Sequence, residues 1–464
     1  MKHPDIVFIF MDDMGWRDLA CTGSGFYETP NIDRLCQNGM RFPAAYAACP
    51  VCSPSRASYL TGMYPARVGV TDWIDGEGIM HPLKGKLIDA PYLKHLPDGT
   101  RTIAHALGAG GYRTWHVGKW HLGGKGYLPE DFGFEVNIGG CDWGHPRCGY
   151  FSPYQIPNLP EGPEGEYLND RMTDEAIRLI EGAGPEPFFL SLCHYAVHNP
   201  IQAKEADIAR FRAKARSLHL DELSPFVEGE RHPVHAGHIR RRVMQSNAAY
   251  AAMIYNLDWN IGRLVEALKE AGRLDDTLLI FTSDNGGLAT TEGSPTCNAP
   301  AREGKGWMYE GGTRVPMIAH WPGKIAAGSV CDVPVTTPDF YPTFLAAAGL
   351  PADVRSEIDG VNILPLFTGG TIAERPIFWH YPHYGNQGGT PGSSVRRGKY
   401  LLIEFFETGK AALYDVESDI SEARDLSAEL PEVAADMRNL LGTWRDAVGA
   451  KYPIPNPDAQ NAQI

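Results

Sequence analysis

The chain is 464 residues long, carries a formal net charge of −14 and contains nine cysteines. That length supports one large core with a smaller satellite, and the acidity excludes a general affinity for nucleic acids or anionic membranes. The cysteine count is odd and the spacing irregular, which excludes a disulfide framework of the kind that staples small secreted domains.

From the N-terminus, Met1-Lys2-His3-Pro4-Asp5 leads straight into an apolar strand, Ile6 to Met11. This run is too short for the hydrophobic segment of a signal peptide or for a membrane span. A cytoplasmic location is expected from this opening, or a periplasmic or secreted one if a leader has been trimmed. The strand is apolar on both faces, as in a parallel sheet buried on both sides, and it ends in Asp12-Asp13. A helix follows from Asn31 to about Gly39. The stretch Cys49-Pro50-Val51-Cys52-Ser53-Pro54-Ser55-Arg56 then runs from a loop into a second helix. Ser53 is expected as its N-cap, Pro54 in its first position and Gly62 as its stop. Cys52 thereby meets free backbone N–H groups and the macrodipole, which favour an anion or an activated nucleophile, and Arg56 adds a charge one turn on.

Further along, a helix over 101–110 feeds a strand over 112–117, which ends in Gly118-Lys119-Trp120-His121. Residues 139–164 read as a long irregular loop, 168–182 as a helix, and 187–192 as a buried strand that ends ahead of His198. The charge-rich segment 204–242 is expected as an exposed insertion. A long helix, 245–271, leads into a strand over 277–282, which ends in Ser283-Asp284-Asn285. A strand at 317–319 and a helix at 339–349 complete the alternation. This pattern predicts an α/β fold with a large, mostly parallel central sheet flanked by helices. Near residue 371 it changes to closely spaced strands (377–379, 400–405, 412–414) and one amphipathic helix, 431–448. Two domains are therefore expected, 1–370 and 371–464, the second a small antiparallel α+β subdomain with a terminal tail.

Four strand ends carry polar clusters, and in open α/β sheets such ends converge on one crevice. Asp12, Asp13, Asp284 and Asn285 offer only oxygen donors. Three carboxylates drawn together require a cation, and hard donors suit Ca²⁺ first and Mg²⁺ second. Arg56, Lys119, His121, His198 and Lys305 are the opposite set, able to bind a tetrahedral anion and protonate a leaving oxygen. Cys49-x-x-Cys52 ahead of a helix also admits a dithiol oxidoreductase, which leaves the carboxylates and lysines without a role. His232-x-x-His235-x-x-His238 has no carboxylate at useful spacing and reads as a solvated loop. Arg240-Arg241-Arg242 reads as a solvated helix start.

The run Cys52-x-Pro54-Ser55-Arg56, followed by Leu60-Thr61-Gly62, resembles the signature of type I sulfatases. Asp12-Asp13, Gly118-Lys119-Trp120-His121-Leu122-Gly123, His198-Asn199-Pro200, Ser283-Asp284-Asn285-Gly286 and Lys305 before Glu310-Gly311-Gly312-x-Arg314-x-Pro316 resemble that family's blocks, in its order. Val197 stands where related sulfatases often carry Pro. The resemblance implies an alkaline-phosphatase-like fold and an arylsulfatase-like, Ca²⁺-dependent sulfuric ester hydrolase in which a maturation enzyme converts Cys52 to formylglycine. In such a hydrolase the hydrated residue 52 is a metal ligand beside Asp12, Asp13, Asp284 and Asn285, and it is the nucleophile on sulfur. Lys119, Lys305 and Arg56 hold sulfate oxygens, His198 protonates the departing alcohol, and His121 takes the proton whose loss expels sulfate.

Trp73, Asp142, Trp143, His145 and the run Trp379-His380-Tyr381-Pro382-His383-Tyr384 are the aromatic and polar residues expected around a sugar ring. By analogy the substrate is a sulfated saccharide of galactose or N-acetylgalactosamine type. The implied partners are that substrate, the formylglycine-generating enzyme and, in a homo-oligomer, further copies of the chain, with no nucleic acid and no membrane. The alternative within the superfamily is a phosphodiesterase or phosphonate monoester hydrolase.

Overall fold

The computed structural model describes residues 3–75, 80–234, 237–352 and 357–459. Its central sheet has eight strands in the order Ser329–Val330, Met40–Arg41, Met317–His320, Thr277–Ser283, Asp5–Met11, Phe188–Cys193, Arg113–Gly118 and Val136–Ile138. The last five are mutually parallel, and Met317–His320 runs antiparallel beside Thr277–Ser283. Every residue of Asp5–Met11, Phe188–Cys193 and Thr277–Ser283 is buried. The cause is a helical layer on each face. Val7, Ile9 and Met11 join the core under the Ala248–Glu270 helix, while Ile6, Phe8 and Phe10 join the core under the Phe340–Ala347 helix. Alternate residues of one strand thus serve opposite layers, which is why the strand is apolar throughout.

Register positions the site. Met11 lies opposite Ser283 and Gly118 opposite Cys193, so the four central strands end level. At Gly118 the left-handed φ of 100° lets Lys119 leave the sheet. A Cβ there would stand 2.0 Å from the Cys193 carbonyl oxygen, an approach open only to glycine.

A second sheet, antiparallel, comprises Ile377–Tyr381, Gly392–Arg397, Tyr400–Phe405 and Lys410–Asp415. The Pro431–Val448 helix covers one face through Met437 and Leu441. The other face holds Trp379, which packs with Cys49 and Val51 and donates from Nε1 to the Ala47 carbonyl at 2.7 Å. The second sheet therefore buttresses the loop that carries Cys52. The Gly392–Arg397 strand was not anticipated. Its opening Gly-Ser-Ser has low strand propensity, and pairing on both sides overrides it.

The segment 204–242 is not simply an exposed insertion. The Glu205–Ser217 helix packs Ile208, Phe211 and Ala215 into the core, and Phe226–Arg231 pairs with His238–Arg242 as a hairpin. Arg240-Arg241-Arg242 is thus strand, not a helix start. The Arg240 and Arg242 guanidiniums lie 4.5 and 4.6 Å from the Phe226 ring. Of the histidine tract, His232 is buried, His238 lies 3.4 Å from Glu228, and His235 falls outside the described residues. Among the described residues, no helix is long and apolar enough to cross a membrane.

Candidate active site

The Cys52–Thr61 helix begins on Cys52 itself, with Val51 as N-cap, and ends at Gly62 with a left-handed φ of 73°. Ser53 is not the cap. Its hydroxyl accepts from the Ile74 N–H at 3.0 Å and donates to the His121 carbonyl at 2.9 Å, tying the helix to two loops. Pro54 forfeits no hydrogen bond, because first-turn N–H groups have no intrahelical acceptor. The Ser55 hydroxyl accepts from the Cys49 N–H at 3.1 Å and closes the loop. Each residue of the motif has a local task, and together they leave Cys52 on the floor of a cavity.

Arg56 departs from the expectation that it clamps sulfate. It is 1% exposed and donates through Nε and Nη2 to Asp284 Oδ2 at 3.1 and 2.7 Å, and through Nη1 to the Lys119 carbonyl at 3.0 Å. With its donors turned to these partners, it positions Asp284 and Lys119.

Asp12 Oδ2 accepts from Lys119 Nζ at 2.7 Å. Asp13, at a left-handed φ of 63°, turns its carboxylate to Lys305 Nζ at 2.8 and 2.9 Å and to Asn285 Nδ2 at 2.8 Å. Its N–H donates to Asp284 Oδ1 at 3.2 Å, and His198 Nε2 stands 3.7 Å from its Oδ2. The Val197 N–H donates to the Asp12 carbonyl at 2.7 Å, a bond that a proline at this position could not make.

Asp12, Asp13, Cys52 and His198 each offer a donor atom within 4.8 Å of the others. Asp12 Oδ1 and Asn285 Oδ1 are buried and receive no hydrogen bond. Buried oxygens without donors are costly unless a cation meets them, and this carboxylate-and-amide set fits a hard divalent ion.

The electrostatics point the same way. Asp12, Asp13 and Asp284 face Arg56, Lys119 and Lys305, all buried, so acidic and basic side chains are equal in number. A divalent cation would leave an excess of positive charge beneath the cavity, a field that binds an anionic ester. Burial, reinforced by Asp284 and Asp13 and opposed by Lys119, pushes the Asp12 carboxyl up to about 8. Burial works against ionisation of Asp13 too, but Lys305, His198 and Lys119 hold it well below the usual carboxylate range. Burial pushes the Cys52 thiol up to about 11, against the pull of Lys119 and Lys305. Desolvation therefore overrides the helix N-terminus, and the unmodified cysteine is a neutral, weak nucleophile.

His121 Nε2 lies 2.8 Å from the Ile74 carbonyl, which requires the hydrogen on that nitrogen. Nδ1 is left buried and unpartnered, its lone pair available to a proton. Burial and Lys119 hold the ring neutral. Gly144 packs so closely that a Cβ would stand 2.6 Å from the His121 ring. Gly144→Ala is expected to push the ring off Ile74 and lower kcat about tenfold with little change in the thermal midpoint, as steady-state kinetics and calorimetry would read.

The cavity above Cys52 measures about 720 Å³ and is lined by His121, His198 and Lys305, with Trp73, Asp142 and His145 on its walls. The His145 and His198 rings lie nearly parallel, 6.0 Å apart. Among the lining residues that the sequence reading does not single out are Arg147, Glu292, Asn386 and Gln387. Gln387 Nε2 donates to Glu292 Oε1 at 2.8 Å, and Asn199 Nδ2 donates to the Glu292 carbonyl at 2.9 Å.

His383 does not line the cavity. It is fully buried, with Nε2 2.9 Å from Thr71 Oγ1. The rest of the 379–384 run is spent on packing: His380 between Ser393 and Lys451, Tyr381 on Asp72, and Tyr384 on Leu87 and Glu407. The polar pair Asn386-Gln387, flanked by glycines, reaches the cavity instead. The dithiol reading fails on burial. Cys49 is fully enclosed with its thiol 4.0 Å from the Thr71 carbonyl, and all nine cysteines are free.

An alkaline-phosphatase-like sheet whose strand ends bring together carboxylates, lysines, two histidines and a motif cysteine defines a hydrolase of anionic esters. Sequence comparison supplies the family. The sulfatase family model matches residues 4–350, and the model described as "N-sulphoglucosamine sulphohydrolase, C-terminal" matches residues 303–446. The chain belongs to the sulfatase family and is a sulfuric ester hydrolase. N-acetylgalactosamine-6-sulfatase of Sus scrofa is 32% identical over 390 residues, covering 82% of this chain and 69% of that protein. Arylsulfatase A of Homo sapiens is 31% identical over 444 residues, covering 88% and 76%. The crystal structure of Ps i-CgsB in complex with k-i-k-neocarrahexaose has a TM-score of 0.76 at 29% identity, covering 96% of this chain and 93% of that one.

Proposed function

We propose that the protein removes sulfate from a sulfated saccharide of galactose or N-acetylgalactosamine type, after a maturation enzyme has converted Cys52 to formylglycine, with Ca²⁺ as its cation. The observation that carries this reading is the cavity floored by Cys52 and walled by Trp73, Asp142, His145, Arg147 and Gln387. An aromatic face beside hydrogen-bonding carboxylate, amide and imidazole groups suits a sugar ring, and about 720 Å³ exceeds what a small aryl ester needs. The saccharides named for two of its relatives agree with it.

In this mechanism formylglycine supplies a paired-hydroxyl nucleophile at position 52, and a cation held by Asp12, Asp13, Asp284 and Asn285 supplies Lewis acidity. Lys305 Nζ presents its donors to the sulfate oxygens at the cavity floor, while fully buried Lys119 adds positive charge from below. Arg56 acts through Asp284 and the Lys119 carbonyl. His198 Nδ1 donates to the Asn199 carbonyl at 2.9 Å, which turns Nε2 toward the leaving oxygen. Burial and Lys305 hold His198 unprotonated, and an arriving sulfate offsets the lysine field and lets the ring take up the proton it delivers. His121 Nδ1 accepts the proton that closes the cycle.

Initial rates on 6-sulfated N-acetylgalactosamine or galactose against a phosphodiester test the assignment. Higher kcat/KM for the sulfate ester is expected, and preference for the phosphodiester would overturn it. Trp73→Ala is expected to raise KM for the saccharide about tenfold and leave kcat within about threefold, because the indole contacts the ring and not the reacting sulfur.

A further inference from the structure

Behind the Trp73 wall lies a second buried cluster that the hydrolytic site does not use. Asp72 and His383 are 0% exposed, Asp89 is 6% exposed, and the His81 side chain is 3% exposed. Outer hydrogen bonds fix the carboxylates. Asp72 Oδ1 accepts from the Trp73 N–H at 2.8 Å and the Tyr381 hydroxyl at 3.0 Å, while Asp89 accepts from the Tyr384 and Leu83 N–H groups at 2.9 and 3.0 Å. The inner atoms are left without partners: Asp72 Oδ2, His383 Nδ1 and both His81 nitrogens make no hydrogen bond.

These atoms converge. His383 is anchored by Nε2 at Thr71 Oγ1, which aims Nδ1 inward, 3.9 Å from Asp72 Oδ2. His81 stands 3.5 Å from Asp72 Oδ2 and 3.6 Å from Asp89 Oδ2, too far for well-formed hydrogen bonds. Donor atoms of Asp72, Asp89 and His383 all lie within 4.8 Å of one another. A dry interior does not keep two carboxylates and two imidazoles facing one another unless something meets them.

We propose that Asp72, Asp89 and His383 form a second metal site, with His81 as the adjoining fourth ligand, for a first-row divalent ion of the zinc class. Imidazole nitrogen beside carboxylate oxygen selects such an ion over Ca²⁺, and four side chains closing on it leave no position for substrate, so its role is structural. The site joins the loop that bears Trp73 to the end of the Ile377–Tyr381 strand. The Tyr92 hydroxyl donates to the Trp73 carbonyl at 2.7 Å, and the Trp73 and His81 rings meet at 4.9 Å. An ion here holds the wall of the substrate cavity in place. The inference is independent of which ester the enzyme cleaves.

The test uses the full chain, stripped of metal by a chelator, returned to saturating Ca²⁺ and titrated with Co²⁺ as a visible-absorption probe and Zn²⁺ as competitor. One equivalent of Co²⁺ is expected to bind with the spectrum of a nitrogen-and-oxygen ligand set, to be displaced by Zn²⁺, and to survive Asp12→Asn combined with Asp13→Asn. His383→Gln is expected to lose it, along with the rise in thermal midpoint that Zn²⁺ gives the parent protein. Absence of a Co²⁺ equivalent in the parent protein overturns the proposal. Loss of the signal in the Asp12→Asn, Asp13→Asn protein also overturns it, since the ion then belongs to the hydrolytic site. Should His383→Gln fail to fold, the other two proteins decide.

Discussion

Cys52→Ala lowers sulfate release by about four orders of magnitude or more, and Cys52→Ser stops after a single chemical event. The geometry explains both. Residue 52 is 2% exposed at the first position of its helix, between the Asp12–Lys119 and Asp13–Lys305 pairs, and among the described residues no other thiol or hydroxyl side chain lines the cavity. A serine hydroxyl can accept the sulfuryl group, but it carries no second hydroxyl on the same carbon to push sulfate out. Intact mass spectrometry of the Cys52→Ser protein after incubation with substrate is therefore expected to find one added SO₃ per chain and no turnover. Turnover by that protein would place the nucleophile elsewhere.

Asp284→Ala destabilises the fold by about 3–5 kcal/mol, the cost of stranding a buried charge. Arg56, 1% exposed, loses the acceptor of its 2.7 and 3.1 Å hydrogen bonds, and the Asp13 N–H loses its partner at 3.2 Å. Adding Arg56→Met to Asp284→Ala should recover part of the loss, because no unpaired guanidinium then remains. Urea unfolding midpoints check this. A double variant no more stable than Asp284→Ala would mean that the pair is not what the single substitution breaks. Activity is expected to stay lost in both, since Asp284 is one of the proposed cation ligands and holds Arg56 in place.

Much of this was legible because the site is built on strand ends. Asp12-Asp13, Lys119, His198 and Asp284-Asn285 each follow a continuous apolar run, and the parallel register of those runs brings them level. What escaped depends on loops whose course no periodicity reports. Arg147, Glu292 and Gln387 reach the cavity from three separate loops, and Glu292 meets Gln387 across 95 positions of sequence. His383 was misplaced because an aromatic-rich run reads alike whether it faces a ligand or a neighbouring sheet. Here Trp379 and Tyr381 bind it to the Cys49 loop and Asp72. Arg56 and Cys52 have surroundings that the local sequence does not report, for a shared reason. A helix N-terminus favours negative charge in water-exposed settings, but at nearly complete burial desolvation and specific partners decide the outcome. Arg56 is drawn to Asp284 and the Cys52 thiol rises to about 11.

The central claim is that the residue at position 52 does the chemistry as something other than a cysteine. Mass spectrometry of the peptide spanning residues 50–56, from protein matured in its own host, tests this most directly. An aldehyde in place of the CH₂–SH group at residue 52 is predicted. An unaltered thiol in protein that turns over sulfate ester would contradict it.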